Sequence, residues 1–205
     1  MDARRAPVDD ARIHWRQQLP VLTAGEHTLR QLRPSDAAPL LAMLTSDDVT
    51  RHISPPPLTL DGFERFVAWS LREQAAGTSI CYGIVPKGYD CAVGIIQIRS
   101  IQPDLGNAEW GFALGCAFWG TGVFHPCATA VVNFAIDTMG IRRLEARAAA
   151  ANARGNGALC KLGASPEGVL QNSFLKNGRY HDQLLWAIVE SEWREDREAE
   201  SMQDR

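Results

Sequence analysis

The run from Glu109 to Ile136, EWGFALGCAFWGTGVFHPCATAVVNFAI, most narrows what the chain can fold into. It reads as an apolar strand, a short glycine loop and an apolar helix. In the strand, Trp110, Phe112 and Leu114 alternate with Glu109, Gly111 and Ala113, so the two sets face opposite sides of a sheet. Gly120 and Gly122 in the loop permit a tight turn and let a ligand approach the backbone. The helix is expected to begin near Pro126 and to end before Gly140. Its first amides have no partner within the helix and point at the loop, a geometry that binds anions, phosphates above all. Two better-known phosphate loops are excluded: there is no Gly-x-x-x-x-Gly-Lys-Ser/Thr run, and the third glycine of a dinucleotide fingerprint is missing. Taken alone, a G-x-G between strand and helix serves equally well as a tight connection with no ligand.

The flanking sequence supplies a sheet for this unit. After the helix, Leu144, Ala146, Ala148 and Ala150 alternate with Glu145 and Arg147, giving a βαβ unit whose two strands run parallel. Thr78 to Val85 and Ala92 to Ile101 form a hairpin around Lys87 to Asp90. Gly168 to Leu175 and Tyr180 to Val189 form a second one through Asn177-Gly178. His27 to Arg33 reads as a first strand, and Ser35 as the cap of a helix carrying Ala38, Leu41 and Leu44. Thr45 to Pro57, broken by three prolines, is a loop, and Pro103 to Asn107 is a turn. A second helix opens at Thr59 or Asp61, with Phe63, Phe66, Val67, Ser70 and Leu71 on one face. Asn152 to Leu162 is a weaker helix containing Gly155 and Gly157. The domain is expected over residues 27–189. It is preceded by an N-terminal arm over 1–26, with a short helix around Ile13 and Trp15, and followed by a charged tail over 190–205 that frays.

Composition removes several function classes. A net charge of −3 over 205 residues offers no electrostatic footprint for nucleic acid. No stretch approaches the roughly 18 apolar residues of a membrane span, and the N-terminus lacks the apolar core of a signal peptide. The five cysteines are scattered and unpaired in sequence, as in a cytoplasmic protein with reduced thiols. Neither they nor the five histidines show metal-ligand spacing, so no metal is expected. Exposed strand edges and the N-terminal arm are the surfaces a homodimer would use, although nothing demands one.

Three blocks, in order, resemble the GNAT acyltransferases. Leu29 to Ala37 resembles their opening strand and first helix, AEWGFAL…FWGTGV their fourth strand and acetyl-CoA pyrophosphate loop, and Asn152 to Ala164 their late Asn-containing helix. The resemblance covers roughly residues 27–189. Trp119 before the Gly-x-Gly and the Lys-Leu-Gly-Ala ending are most similar to the Rim-type branch, which includes N-terminal acetyltransferases of ribosomal proteins. It implies an α/β fold of the layered α+β kind. The central sheet would be mixed, mostly antiparallel and twisted, with about seven strands, a parallel pair splayed at its centre and helices on both faces.

The same resemblance implies acetyl transfer from acetyl-CoA to a primary amine, a protein N-terminus or a small molecule; a module that holds acyl-CoA without turnover is the rival. It places the pyrophosphate on Trp119, Gly120, Thr121, Gly122, Val123 and Phe124, and the pantetheine arm along Phe112, Ala113 and Leu114. Asn152, with Gly155 nearby, would reach the same arm, although Asn152 suits a plain helix cap equally well. Residues 49–74 would wall the acceptor. Phe124 stands where a small residue is usual and Thr121 where a basic one is frequent, which would weaken CoA affinity rather than alter the fold. An α-amino group has a pKa of about 7.7–8.0 and must lose a proton before it attacks the thioester. Glu109, a carboxylate opening an apolar strand, is the candidate base or ammonium anchor. Tyr180 is the candidate acid for the departing thiolate, against a packing role on its strand; a thiol pKa of about 8.5 lets the thiolate leave without one. Arg154 and Lys161 either reach CoA phosphates or are solvated helix charges.

Overall fold

A computed structural model describes residues 15–102 and 106–203. Eight strands form one sheet: β1 (Leu22–Ala24), β2 (His27–Gln31), β3 (Ile80–Val85), β4 (Gly94–Gln102), β5 (Asn107–Leu114), β6 (Arg143–Ala149), β7 (Ser165–Lys176) and β8 (Arg179–Val189). Their order is β1-β2-β3-β4-β5-β6-β8-β7. Among the described residues, only β5 and β6 pair in parallel, as expected for strands joined by a crossover helix. The helices are α1 (Ala37–Leu44), α2 (Asp47–Thr50), α3 (Leu60–Ala76), α4 (Phe124–Asp137), α5 (Ala153–Lys161) and α6 (Glu190–Gln203).

The sheet is packed on both sides. Tyr82, Ile84, Ile96, Ile98, Trp110 and Leu144 join the apolar face of α4, Leu159 of α5 and Trp193 of α6 in one core. Cys81 and Ala92 join Leu40 and Leu44 of α1, Val49 of α2, and Phe63 and Val67 of α3 in the other. Strand β3 lies mid-sheet between the layers, so all six of its residues are buried. All five cysteines are free thiols. Burial pushes Cys81 and Cys127 up to about 12, which keeps them protonated and inert.

Both ends of the chain depart from expectation. The described part of the N-terminal arm is packed: Trp15 and Leu19 are buried, and β1 adds an edge strand to β2 through the two-residue turn Gly25-Glu26. Gly25 adopts a φ of 60° there. The part of the expected first helix around Ile13 lies outside the described residues, as do residues 103–105 of the expected turn. The charged tail does not fray at residue 190 but continues as α6. Trp193 is buried and donates to Asn133 Oδ1 at 2.8 Å, and Arg194 pairs with Asp137 at 3.0 Å.

Two local expectations are also corrected. Ser35 does not cap α1; it lies in a 3-10 turn (Pro34–Asp36), where the Asp36 carboxylate accepts the Arg33 amide at 2.8 Å. Within the expected 45–57 loop, residues 47–50 make the single helical turn α2. By contrast, Thr59 does open α3, accepting the Gly62 amide, and Gly77 closes it in the left-handed region.

Candidate active site

The site follows from an interruption in the sheet. Strands β5 and β6 pair only over Asn107–Glu109 and Arg143–Glu145. Beyond that point β5 stays with β4 as far as Leu114, while β6 stays with β8 as far as Ala149. The upper edges of the central pair therefore separate and leave backbone groups of β5 without a strand partner. A cleft of about 680 Å³ opens here. It gathers Phe112, Ala113 and Leu114 of β5 with Trp119, Gly120, Gly122 and Phe124 of the loop and α4. Asn152 and Gly155 at the start of α5 complete that wall, and Asp48, Val49, Arg51, His52 and Ile53 form the opposite one.

The loop has the geometry its glycines require. Gly120 and Gly122 have φ of 72° and 86°, where side chains are strained, and a Cβ at either would meet no protein atom within 4 Å. Open space therefore lies beside the backbone. Helix α4 starts at Phe124 without a side-chain cap, so its first amides are not engaged by a side chain of its own cap. The Trp119 indole donates to the Leu114 carbonyl at 2.8 Å and ties the loop to the end of β5. Arg154 of α5 stacks over the same indole at 4.4 Å, so it is a placed cation rather than a merely solvated one. The Phe124 ring lies against Phe112, with centroids 4.2 Å apart. Thr121 and Val123 do not line the cleft. The Thr121 hydroxyl donates to the Phe118 carbonyl at 2.8 Å, and Val123 is buried in the core.

Asn152 stands at the first turn of α5 and lines the cleft. Its Oδ1 accepts the Gly155 amide at 2.9 Å and so caps α5. Its Nδ2 has no hydrogen-bond partner among the described residues, which leaves two donors at the cleft. A Cβ at Gly155 would lie 2.5 Å from that nitrogen, so a larger residue there would displace the capping side chain. Asn156, which carried no signal in the sequence, holds the helix in place: it donates to the Ala149 carbonyl at 3.0 Å and accepts from Trp186 Nε1 at 2.9 Å.

The two catalytic candidates lie apart from this wall. Glu109 stands at the last paired position of β5, where the strands part, and is not among the residues lining the cleft. Its oxygens meet Arg99 Nε at 3.3 Å and Arg147 Nη2 at 3.4 Å. Tyr180 is 64% exposed beside the β7–β8 turn, contrary to the packing role expected of it, and also lies outside the lining. That hairpin reaches the opposite wall instead through Lys176, whose Nζ donates to the carbonyls of Thr50 and Ile53 at 2.7 and 2.9 Å. Among the described residues, no cluster of His, Cys, Asp and Glu could hold a metal ion, and no helix is long and apolar enough to cross a membrane.

Known proteins share this fold. The chain is 25% identical over 175 residues to the uncharacterized N-acetyltransferase YoaA of Bacillus subtilis (strain 168), covering 83% of this chain and 97% of that one. It is 28% identical over 118 residues to the [ribosomal protein uS5]-alanine N-acetyltransferase of Escherichia coli (strain K12), covering 57% and 61%. In fold it is similar to the microcin C7 self-immunity acetyltransferase MccE, solved in complex with acetyl-CoA and AMP: TM-score 0.74, 21% identity, 80% and 93% coverage. Mycobacterium smegmatis RimJ in complex with CoA-disulfide is similar to the same degree, with TM-score 0.74, 19% identity, and 84% and 87% coverage. The family model for the acetyltransferase (GNAT) domain matches residues 27–165, two thirds of the chain, and the chain belongs to that family of N-acetyltransferases.

Proposed function

We propose that the protein transfers the acetyl group of acetyl-CoA directly to a primary amine, and that a protein N-terminus is the preferred acceptor. One observation carries this reading. The open loop at Gly120 and Gly122, the unpaired edge of β5 and the free donors of Asn152 line a single cleft. Loop amides and the α4 N-terminus suit a diphosphate, and the strand edge and Asn152 suit the amides of a pantetheine arm. Arg154, held over Trp119, adds positive charge on the same side. The preference for a protein N-terminus draws on the relative that acts on ribosomal protein uS5.

Calorimetric titration with acetyl-CoA tests the donor half. Gly122→Trp introduces a strained side chain into the open space beside the loop and is expected to weaken binding by at least about tenfold, or 1.4 kcal/mol. Equal binding by wild type and variant would remove the loop from the site. A screen of peptides with free N-termini against small primary amines tests the acceptor half; binding without transfer to any of them favours a non-catalytic acyl-CoA module.

Glu109 enters this reading as the carboxylate that attracts the acceptor ammonium at the parting of the strands. Glu109→Gln is then expected to raise the acceptor KM with kcat nearly unchanged. A fall in kcat of about 100-fold or more would make it the base instead.

A further inference from the structure

We propose that His52 is a catalytic residue of the acetyl transfer, the group that takes the proton from the acceptor amine. The inference rests on the reading of the cleft as the transfer site and names a residue that neither the family pattern nor the sequence motifs singled out. His52 lies in the segment after α2 and lines the same cleft as Phe112, Ala113 and Leu114.

The other titratable groups lining the cleft are otherwise engaged or remain cationic. Asp48 pairs with Arg51 at 3.3 Å and is mostly exposed. His125 sits at the start of α4, with its Nε2 3.2 Å from the Lys161 carbonyl, on the loop side of the cleft. Arg154 is stacked on Trp119, and Arg51 and Lys161 are cations that cannot accept a proton at neutral pH. The His52 imidazole makes no hydrogen bond among the described residues, so a ring nitrogen is free to meet an ammonium.

The surroundings keep that nitrogen unprotonated. Burial lowers the His52 pKa below its ordinary 6.5, and electrostatic interaction with Arg51 beside it and with His181 and Lys176 on the β7–β8 hairpin lowers it further. Lys176 is fixed near this segment by its bonds to the Thr50 and Ile53 carbonyls. Neutral imidazole at neutral pH is the form a proton acceptor needs.

The step balances without a further reagent. The acceptor ammonium gives one proton to His52, which passes it to water. The neutral amine attacks the thioester carbon, the C–N bond forms and the C–S bond breaks. Of the two protons left on the attacking nitrogen, one goes to the departing CoA sulfur and the other stays on the product amide.

The test is the pH dependence of acetyl transfer to peptides beginning with Ala, Ser and Met and to small primary amines, for wild type, His52→Gln and Arg51→Gln. Wild-type kcat is expected to rise with pH through an apparent pKa below 6.5. In His52→Gln, kcat falls about 100-fold and this acid limb disappears, while KM for acetyl-CoA is unchanged. In Arg51→Gln the limb persists and moves upward toward 6.5, which a merely structural role for His52 would not produce. Equal kcat and an unchanged limb in His52→Gln overturn the assignment and leave the transfer reading standing. No transfer to any acceptor by the wild type overturns both, and calorimetry with acetyl-CoA then shows whether the cleft still binds the donor.

Discussion

Asp36 has no exposed surface and accepts four hydrogen bonds: Arg30 at 2.7 and 2.8 Å, the Arg33 amide at 2.8 Å and the Ala92 amide at 3.0 Å. It joins the end of β2 to the first helical turn and to the start of β4. Asp36→Ala leaves the Arg30 guanidinium, itself nearly buried, without its counter-charge, and is expected to destabilise the protein by about 3–5 kcal/mol. Burial alone would raise the Asp36 pKa; the bonds from Arg30 and the two amides outweigh it and lower the pKa below 3.8. A carboxyl depressed by folding stabilises the native state above its unfolded pKa of about 3.9, and that contribution is lost as pH falls through the folded value. Urea midpoints should therefore fall below about pH 4 in the wild type, and the Asp36→Ala variant should lack this component of the fall. In the sequence, Ser35 looks like the helix cap. The local pattern cannot show that Arg30, six residues before Asp36, makes that carboxylate half of a buried ion pair.

At the scale of the element, legibility followed length and period. Helix α4 runs from Phe124 to Asp137, close to the span marked by Pro126 and Gly140, because fourteen residues carry a full apolar face. The Asn177-Gly178 turn was readable because both residues take positive φ, 50° and 74°, which few other pairs tolerate. Strand β1 escaped notice because three residues hold too little alternation to register, and only its pairing with β2 defines it. Helix α6 escaped for the opposite reason: its charges dominate the sequence, although one large aromatic anchors it. Trp193→Ala is expected to cost about 3 kcal/mol by opening a cavity against α4 and leaving Asn133 Oδ1 without its donor. Thermal melts followed at 222 nm check this. Acetyl-CoA affinity should not change, because α6 contributes nothing to the cleft. The turn at Gly120 and Gly122 and the Asn152 cap, all on the cleft, were readable because the sequence motif itself carries their geometry. His52 was not, since a lone histidine near three prolines has no periodicity and acquires a context only when the fold brings it into the same cleft as β5.

Taken whole, the molecule has two helical layers separated by a sheet that is continuous at one end of its central pair and open at the other. The cleft draws its lining from both layers: α2 and the segment after it belong to one, and the ends of α4 and α5 to the other. A slot with walls on both faces can hold donor and acceptor together, so the proposed transfer requires a ternary complex and no acetylated enzyme. Initial-velocity plots at varied acetyl-CoA and acceptor should intersect; parallel lines, the mark of a ping-pong scheme, would contradict the direct route. The partial separation of β5 from β6 also bears on traffic. Because the opening passes between the strands, its lining comes from both layers. Under the proposed transfer, donor and acceptor approach from opposite faces, and the acetylated amine leaves without waiting for the spent carrier.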